Sequence, residues 1–165
     1  MDSHRLKALF VFALGTGCRL GEIIAVKWSD LDLSVPEIKI ARTFKRVTKL
    51  EHTDGNKTEI ITQLPKTQNS LRTIPLTSSL IPVLKEHKRK QLEERLRAGD
   101  AYVDDDLIFA NELGKPIDAR NLTRGYERAL NKAQIPYRKF HALRHTYATR
   151  LFENGVPLKT IQTLL

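Results

Sequence analysis

The sequence is poor in the residues that disulfides and membrane anchors need. It has one cysteine, one tryptophan and no apolar run longer than Ala8–Leu14. The single Cys18 excludes an internal disulfide and a cysteine-based zinc finger. Ala8–Leu14 is far shorter than the roughly 20 residues of a membrane-spanning helix, so no membrane partner is expected. The first residues also lack the charged, apolar and small-residue order of a secretion signal, which favours a cytoplasmic protein.

Acidic side chains are scarce relative to basic ones. The 165 residues contain 28 Lys and Arg against 19 Asp and Glu, which gives a formal net charge of +9. This excess favours a polyanionic partner, with nucleic acid first; the alternative is a generally basic soluble protein. From Lys115 to Arg150 nine basic residues face two acidic ones, so the charge is concentrated there.

Hydrophobic periodicity predicts one α+β domain, mainly α-helical, with a small antiparallel sheet of three strands. The predicted helix that ends at Gly99 should bury a face formed by Leu80, Leu84, Leu92 and Leu96. Strands are predicted over 37–43, 59–64 and 71–76, and helices over 3–14, 20–28, from a Ser78 or Ser79 cap to Gly99, from an Asp118 cap to about Ala133, from Phe140 to Asn154 and from Pro157 to Leu165.

The stretch Phe140–Leu151 is the strongest candidate for a phosphate site. His141, Arg144 and His145 stand three and four residues apart, so on a helix they can share one face. An arginine offers five fixed N–H donors to an oxyanion, and a nearby histidine can donate a hydrogen bond or move a proton. Tyr147 takes an apolar position of the same helix and is predicted to pack in the core.

Two further basic residues complete a possible phosphodiester site. Arg19 follows the turn 15–17 at the start of a predicted helix, where backbone N–H groups favour an anion. Glu22 can orient Arg19 by an ion pair; the alternative is an ordinary surface pair. Lys66 lies in a polar turn between two predicted strands. Two arginines could hold a phosphate under attack while a lysine protonates the leaving oxygen, and no metal is needed.

Other basic residues suggest contacts with a nucleic-acid backbone. The arm over 39–50 carries five basic residues and no acid, which is consistent with a hairpin along phosphates. The alternative is a solvated edge strand whose lysines block aggregation. The predicted DNA contacts, which include two arginines of the basic region 115–150, are Lys39, Arg42, Lys45, Arg46, Arg120 and Arg124.

Metal binding is weighed at two places and not expected at either. The acidic run Asp104–Asp106 lacks the alternate spacing and the glycine of an EF-hand loop. His141 and His145 stand four apart, but they lack the intervening glutamate of the zincin motif and an evident third ligand. No metal or other cofactor is therefore expected.

Three stretches in sequence resemble the motifs of one family, the tyrosine recombinases, which include the phage and transposon integrases. T-G-C-R-L-G-E-I-I-A-V-K-W-S-D-L-D at 16–32 is similar to their first signature box. P-K-T-Q-N-S-L-R-T-I-P-L at 65–76 is similar to their β-hairpin with a catalytic lysine. H-A-L-R-H-T-Y-A-T-R-L at 141–151 is similar to their second box, and the resemblance spans 6–165.

The resemblance implies site-specific DNA recombination. Integration or excision of phage or mobile-element DNA would proceed by phosphodiester transesterification through a 3′-phosphotyrosyl intermediate. The implied partner is double-stranded DNA, on which the full-length protein would assemble as a tetramer, at the nucleoid in a bacterial or phage context. Residues 1–165 would form the integrase catalytic domain without the family's N-terminal DNA-binding domains.

The same resemblance assigns roles to individual residues. Arg19 and Arg144 are implied to bind the scissile phosphate, Lys66 to act as general acid, and His141 to be the histidine of the His-x-x-Arg motif. The implied supporting residues are Glu22, which buttresses the first arginine, and His145.

The nucleophile is where the sequence departs from the family pattern. The family has a glycine–histidine pair and then a tyrosine after the second box, and no tyrosine of this chain matches that position. We therefore expect a catalytic-domain fragment that binds DNA but lacks the nucleophile segment. The alternatives are a non-catalytic DNA-binding integrase remnant and, with a weaker case, an enzyme resembling type IB topoisomerases.

Overall fold

The computed structural model describes residues 3–48, 58–63 and 71–165. Within these ranges the chain is mainly helical with small antiparallel sheets, as predicted. The helices are α1 Ser3–Thr16, α2 Leu20–Ile23, α3 Leu80–Ala98, α4 Ala119–Lys132, α5 Ala142–Glu153 and α6 Leu158–Leu164. The strands are β1 Leu31–Asp32, β2 Glu37–Ile40, β3 Thr43–Thr48, β4 Thr58–Gln63 and β5 Arg72–Pro75.

The strands form two sheets, and the prediction of a single three-stranded sheet is wrong in its membership. One sheet has the order β1-β2-β5, with Ile38 opposite Ile74. The predicted strand 59–64 belongs instead to a separate pair, β3 with β4. The short β1 becomes an edge strand because Asp32 Oδ1 accepts hydrogen bonds from the Ser34 N–H (2.8 Å) and hydroxyl (2.6 Å), which closes a tight turn before β2.

Helix α2 is shorter than the predicted helix over 20–28. After one turn the chain becomes extended and pairs with a distant segment. The Val26 carbonyl accepts from the Ile108 N–H at 3.0 Å, and the Trp28 N–H donates to the Asp106 carbonyl at 2.8 Å. This tertiary pairing outweighs the helical periodicity of the sequence.

Helix α1 lies at the centre of the molecule and packs against α3, α4 and α5. Its Leu9 and Phe12 are fully buried, and the Phe12 ring meets Phe109 edge to face with centroids 5.4 Å apart. The strands add Ile38 and Ile74 to the same core. Because the apolar side chains of α1 are covered on several sides, the turn that follows it has a fixed position.

The predicted apolar face of α3 is buried only in its first half. Leu92 and Leu96 are 55% and 75% exposed, whereas His87 and Gln91 face inward. Gln91 Nε2 donates to the Leu107 carbonyl at 2.9 Å, so the extended segment beside α2 satisfies this polar side chain. No helix in the described ranges combines the length and the apolar composition that a bilayer-crossing segment requires.

Candidate active site

Helix α5 presents the residues of the second motif on different sides. Phe140 anchors the start of the helix by packing on Tyr126, with ring centroids 5.3 Å apart. His141 and His145 are exposed and their rings lie 4.9 Å apart. Arg144 is 8% exposed. The two histidines therefore share an outer face, while the arginine points from the same turn towards the interior.

Arg144 is braced by backbone carbonyl groups. Its Nη1 donates to the Gly17 carbonyl at 2.9 Å, and its Nη2 donates to the Leu165 carbonyl. Gly17 has φ of +62°, a left-handed conformation that ends α1 and that glycine adopts without strain. The turn that precedes Arg19 therefore also holds Arg144, which brings the first and second motifs together.

Arg19 caps α2 in the arrangement that the sequence predicts with Glu22. The Arg19 N–H donates to Glu22 Oε2 at 2.7 Å, and its Nη1 donates to Oε1 at 3.1 Å. The anion at the start of this short helix is thus the Glu22 carboxylate itself. The Arg19 side chain is 57% exposed and Glu22 is buried, so the guanidinium extends from a buried support towards solvent.

Arg72 is a buried site residue that the sequence analysis missed. It is 8% exposed, and its guanidinium binds both oxygens of Glu22, Nη1 to Oε1 at 3.1 Å and Nη2 to Oε2 at 2.8 Å. Its Nε donates to the Leu164 carbonyl at 2.8 Å. The alternation of β5, with Arg72 and Ile74 inward and Thr73 outward, was the available signal. An arginine at an inward strand position requires a buried acidic partner.

The charges of the site shift one another's pKa values. Burial alone would raise the pKa of Glu22, but hydrogen bonds and charge from Arg72 and Arg19 outweigh it and hold the pKa below its usual value. Burial and then the charge of Arg19 lower the pKa of Arg144. Desolvation, together with His145, Arg144 and Arg19, lowers the pKa of His141. These groups therefore share one region of excess positive charge, which favours an anion.

Two of the predicted DNA-binding arginines make ion pairs within the protein. Arg42 pairs with Asp30, and Arg46 pairs with Asp118. Asp118 also caps α4 through its other oxygen, which accepts the Arg120 N–H at 2.7 Å. These arginines fasten β3 to the rest of the domain, and a phosphate contact would have to share or replace their carboxylates. The remaining predicted contacts are exposed, namely Lys39, Lys45, Arg120 and Arg124.

Lys66, the predicted general acid, lies outside the described residues. The strands before and after it in the sequence, β4 and β5, are described, and β5 carries Arg72 into the site. Strand β3 packs against α2. The approach is so close that a Cβ on Gly21 would lie 2.8 Å from the Phe44 carbonyl oxygen. This close approach sets β3 beside the helix that Arg19 begins.

The acidic run 104–106 makes contacts within the protein, and Cys18 is buried. Asp104 pairs with Arg95 at 2.6 Å, and Asp106 accepts the Ser29 N–H at 3.1 Å. Across the described ranges, no three His, Cys, Asp or Glu side chains gather as metal ligands. Cys18 is buried, and burial raises its thiol pKa to about 11, which keeps the thiol protonated and unreactive near neutral pH.

Tyr147 is a core residue, as predicted. It is 8% exposed, and burial raises its pKa. Its ring lies so close to Gly17 that a Cβ there would come within 2.4 Å of Tyr147 Cδ1. The tyrosine nearest in sequence to Arg144 is therefore a packing partner of the Gly17 turn.

Comparisons with known proteins match the whole chain to one family. The model of the phage integrase family matches residues 1–165. The chain is 52% identical to a XerC-like tyrosine recombinase of Caldanaerobacter subterraneus, an alignment that covers all of this chain and 43% of that protein. It is 33% identical to an integrase of Streptomyces ambofaciens over 99% of this chain and 42% of the relative. The chain thus spans less than half of the length of these relatives.

Solved structures show the same fold. The Tn1549 transposon integrase in complex with transposon right end DNA superposes with a TM-score of 0.76 at 22% identity, over 97% of this chain and 50% of that one. The XerH recombinase bound to its difH substrate has a TM-score of 0.68 at 25% identity, over 100% of this chain and 41% of that one. The catalytic core of lambda integrase has a TM-score of 0.59 at 20% identity, over 98% and 78% of the two chains.

Proposed function

The chain belongs to the phage integrase family, and from this membership we propose that the protein carries out site-specific DNA recombination. The reaction would be phosphodiester transesterification for the integration or excision of phage or mobile-element DNA. The observation that carries the proposal is that Arg144 donates to the carbonyl of Gly17, two residues before Arg19, and that the charge of Arg19 acts on Arg144, so both arginines lie in one region of excess positive charge.

We propose the following division of labour. Arg19 and Arg144 donate hydrogen bonds to the non-bridging oxygens of the scissile phosphate, and His141 adds a third donor. A tyrosine hydroxyl attacks phosphorus and releases its proton to solvent, a 3′-phosphotyrosyl bond forms, and the bond to the 5′-oxygen breaks. Lys66 gives its proton to that leaving oxygen. In the second half of the reaction a 5′-hydroxyl attacks phosphorus and returns its proton to Lys66, and the tyrosine leaves and takes up a proton from solvent, so no metal or other cofactor is required.

We propose that none of the four tyrosines in this chain is the nucleophile of this reaction. Tyr147 supports this, since its side chain is buried against the Gly17 turn. Residues 1–165 would then supply the phosphate-binding half of a catalytic domain, with DNA-binding domains and the nucleophile supplied by other parts of the protein.

Double-stranded DNA is the proposed partner. The net charge of +9 and the exposed basic residues of β2, β3 and α4 support this, because phosphate neutralisation dominates DNA affinity. By analogy with its family, the whole protein is proposed to assemble as a tetramer on DNA in the cytoplasm, at the nucleoid.

A nicked suicide duplex tests the proposed chemistry. We expect the protein, extended to the length of its relatives, to form a covalent DNA adduct visible on a denaturing gel. The 165-residue chain alone should bind the duplex and form no adduct. Adducts from the 165-residue chain would contradict the assignment of the nucleophile. Duplex binding without adducts from the extended protein would favour the non-catalytic remnant instead.

Duplex binding by the 165-residue chain should strengthen as the pH falls. The pKa of His141 is lowered in the free site, and a bound phosphate would raise it, so binding takes up a proton. One proton changes affinity by at most about tenfold per pH unit, and we expect about three- to fivefold in total between about pH 8 and about pH 6. Fluorescence anisotropy at constant ionic strength measures the effect.

His141→Gln should remove this pH dependence. His145→Gln is the control, one turn further on the same exposed face: it keeps His141 and should retain a pH dependence, whose midpoint moves to higher pH because a group that lowers the pKa of His141 is gone. If the pH dependence survived in His141→Gln and vanished in His145→Gln, the proton would bind at His145 and our assignment to His141 would be wrong.

A further inference from the structure

We propose that Arg72 is a positioning residue that holds the phosphate-binding Arg19 in place through Glu22. The proposal rests on the proposed function in one respect, namely that Arg19 binds a phosphate group. It adds to the site a residue from β5 that contacts the carboxylate and the backbone behind the site.

The Glu22 carboxylate is held from two sides. Oε1 accepts from Nη1 of Arg19 and from Nη1 of Arg72, both at 3.1 Å. Oε2 accepts from the Arg19 N–H at 2.7 Å and from Nη2 of Arg72 at 2.8 Å. Each oxygen thus takes one bond from each arginine, so the plane of the carboxylate is fixed and cannot rotate to follow Arg19.

Arg72 and Arg19 differ in exposure, as expected if Arg72 is the anchor and Arg19 the group that binds phosphate. The Arg72 side chain is 5% exposed and that of Arg19 is 57% exposed. A buried guanidinium in a strand loses little freedom on binding, whereas an exposed pair in high dielectric is weak and mobile. Arg72 is therefore the anchor, and Arg19 is the group that it orients.

Arg72 is also linked to the second phosphate-binding arginine. Its Nε donates to the Leu164 carbonyl at 2.8 Å, and Arg144 donates to the next carbonyl, that of Leu165. One guanidinium thus connects the support of Arg19 with the backbone that braces Arg144. A lysine at position 72 would keep the charge, but its single ammonium group could not reproduce three contacts in fixed directions.

Phosphate titration of the 165-residue chain tests this without requiring DNA cleavage. The Nε–H signals of Arg19 and Arg144 would be followed in ¹H–¹⁵N spectra as inorganic phosphate is added. In Arg72→Lys we expect the midpoint at Arg19 to rise by about three- to tenfold. The matched control is Arg89→Lys, which removes a similar two-point pair with Glu86 (2.9 and 2.8 Å) on the exposed face of α3 and should leave the midpoint unchanged.

A double-variant cycle separates positioning from general support of the fold. If Arg72 acts mainly through Arg19, then Arg72→Lys should weaken phosphate binding at Arg144 much less once Arg19→Ala is present, because only the contact of Arg72 with the Leu164 carbonyl then remains. Equal weakening with and without Arg19 would show a merely structural role and overturn the proposal. So would an unchanged Arg19 midpoint in Arg72→Lys, or an Arg19 signal that does not respond to phosphate in the wild-type chain.

Glu22→Asp provides a second route if Arg72→Lys does not fold. It keeps the charge but shortens the carboxylate, so it should raise the Arg19 midpoint in the same direction, and a wild-type midpoint would overturn the proposal. Because these readouts need no covalent adduct, failure of the nicked-duplex experiment and failure of the Arg72 proposal are distinguishable.

Discussion

Arg144→Lys is expected to slow covalent adduct formation on a nicked duplex by at least about 100-fold in the protein extended to the length of its relatives. Loss of a single preorganised donor to a developing oxyanion typically costs about 100- to 1000-fold in rate. Arg144 offers a planar fork whose Nη atoms are oriented by the Gly17 and Leu165 carbonyls. A lysine keeps the charge and loses that geometry. Single-turnover rates at saturating DNA measure the effect.

Arg150→Lys is the matched control for this variant. Arg150 is exposed on the same helix, α5, and its replacement should change the rate by less than about twofold. Thermal unfolding of both variants should first establish that the domain is intact. If Arg144→Lys kept more than about a tenth of the wild-type rate, Arg144 would not be a principal ligand of the reacting phosphate.

Local spacing explains why much of this site could be predicted from sequence. Arg19 and Glu22 stand three residues apart at the start of a helix, and His141 and Arg144 stand three apart at the start of another. Such pairs are neighbours whenever the local helical turn forms, whatever the rest of the fold does. The motifs therefore place these side chains near one another even though α2 ends well before the predicted boundary.

Long-range pairings account for what the sequence did not predict. Arg72 meets Glu22 across 50 residues of chain, and no local pattern relates them. The same applies to the extended segment after α2, whose partner is 106–108, and to β4, which pairs with β3 in place of β2. In each case a distant backbone or carboxylate supplies the hydrogen bonds that decide the local conformation.

Gly17→Ala should lower the free energy of unfolding by about 2–5 kcal/mol. The residue has φ of +62°, and a left-handed conformation costs a non-glycine residue about 1–2 kcal/mol. The new Cβ would also lie 2.4 Å from Tyr147 Cδ1 and 3.0 Å from Leu165 Cδ2. Relieving such overlap in a packed region typically costs about 1–3 kcal/mol. Chemical denaturation of the 165-residue chain measures the sum.

Gly15→Ala is the control that isolates the conformation of Gly17. Gly15 lies in α1, and a Cβ there would make an ordinary 3.5 Å contact with Leu80. Alanine at such a helical position should stabilise the chain by up to about 1 kcal/mol. Because the Gly17 carbonyl accepts from Arg144, Gly17→Ala should also weaken phosphate binding at Arg144, whereas Gly15→Ala should not. Similar, small effects of both variants would show that the turn does not fix the phosphate-binding arginine.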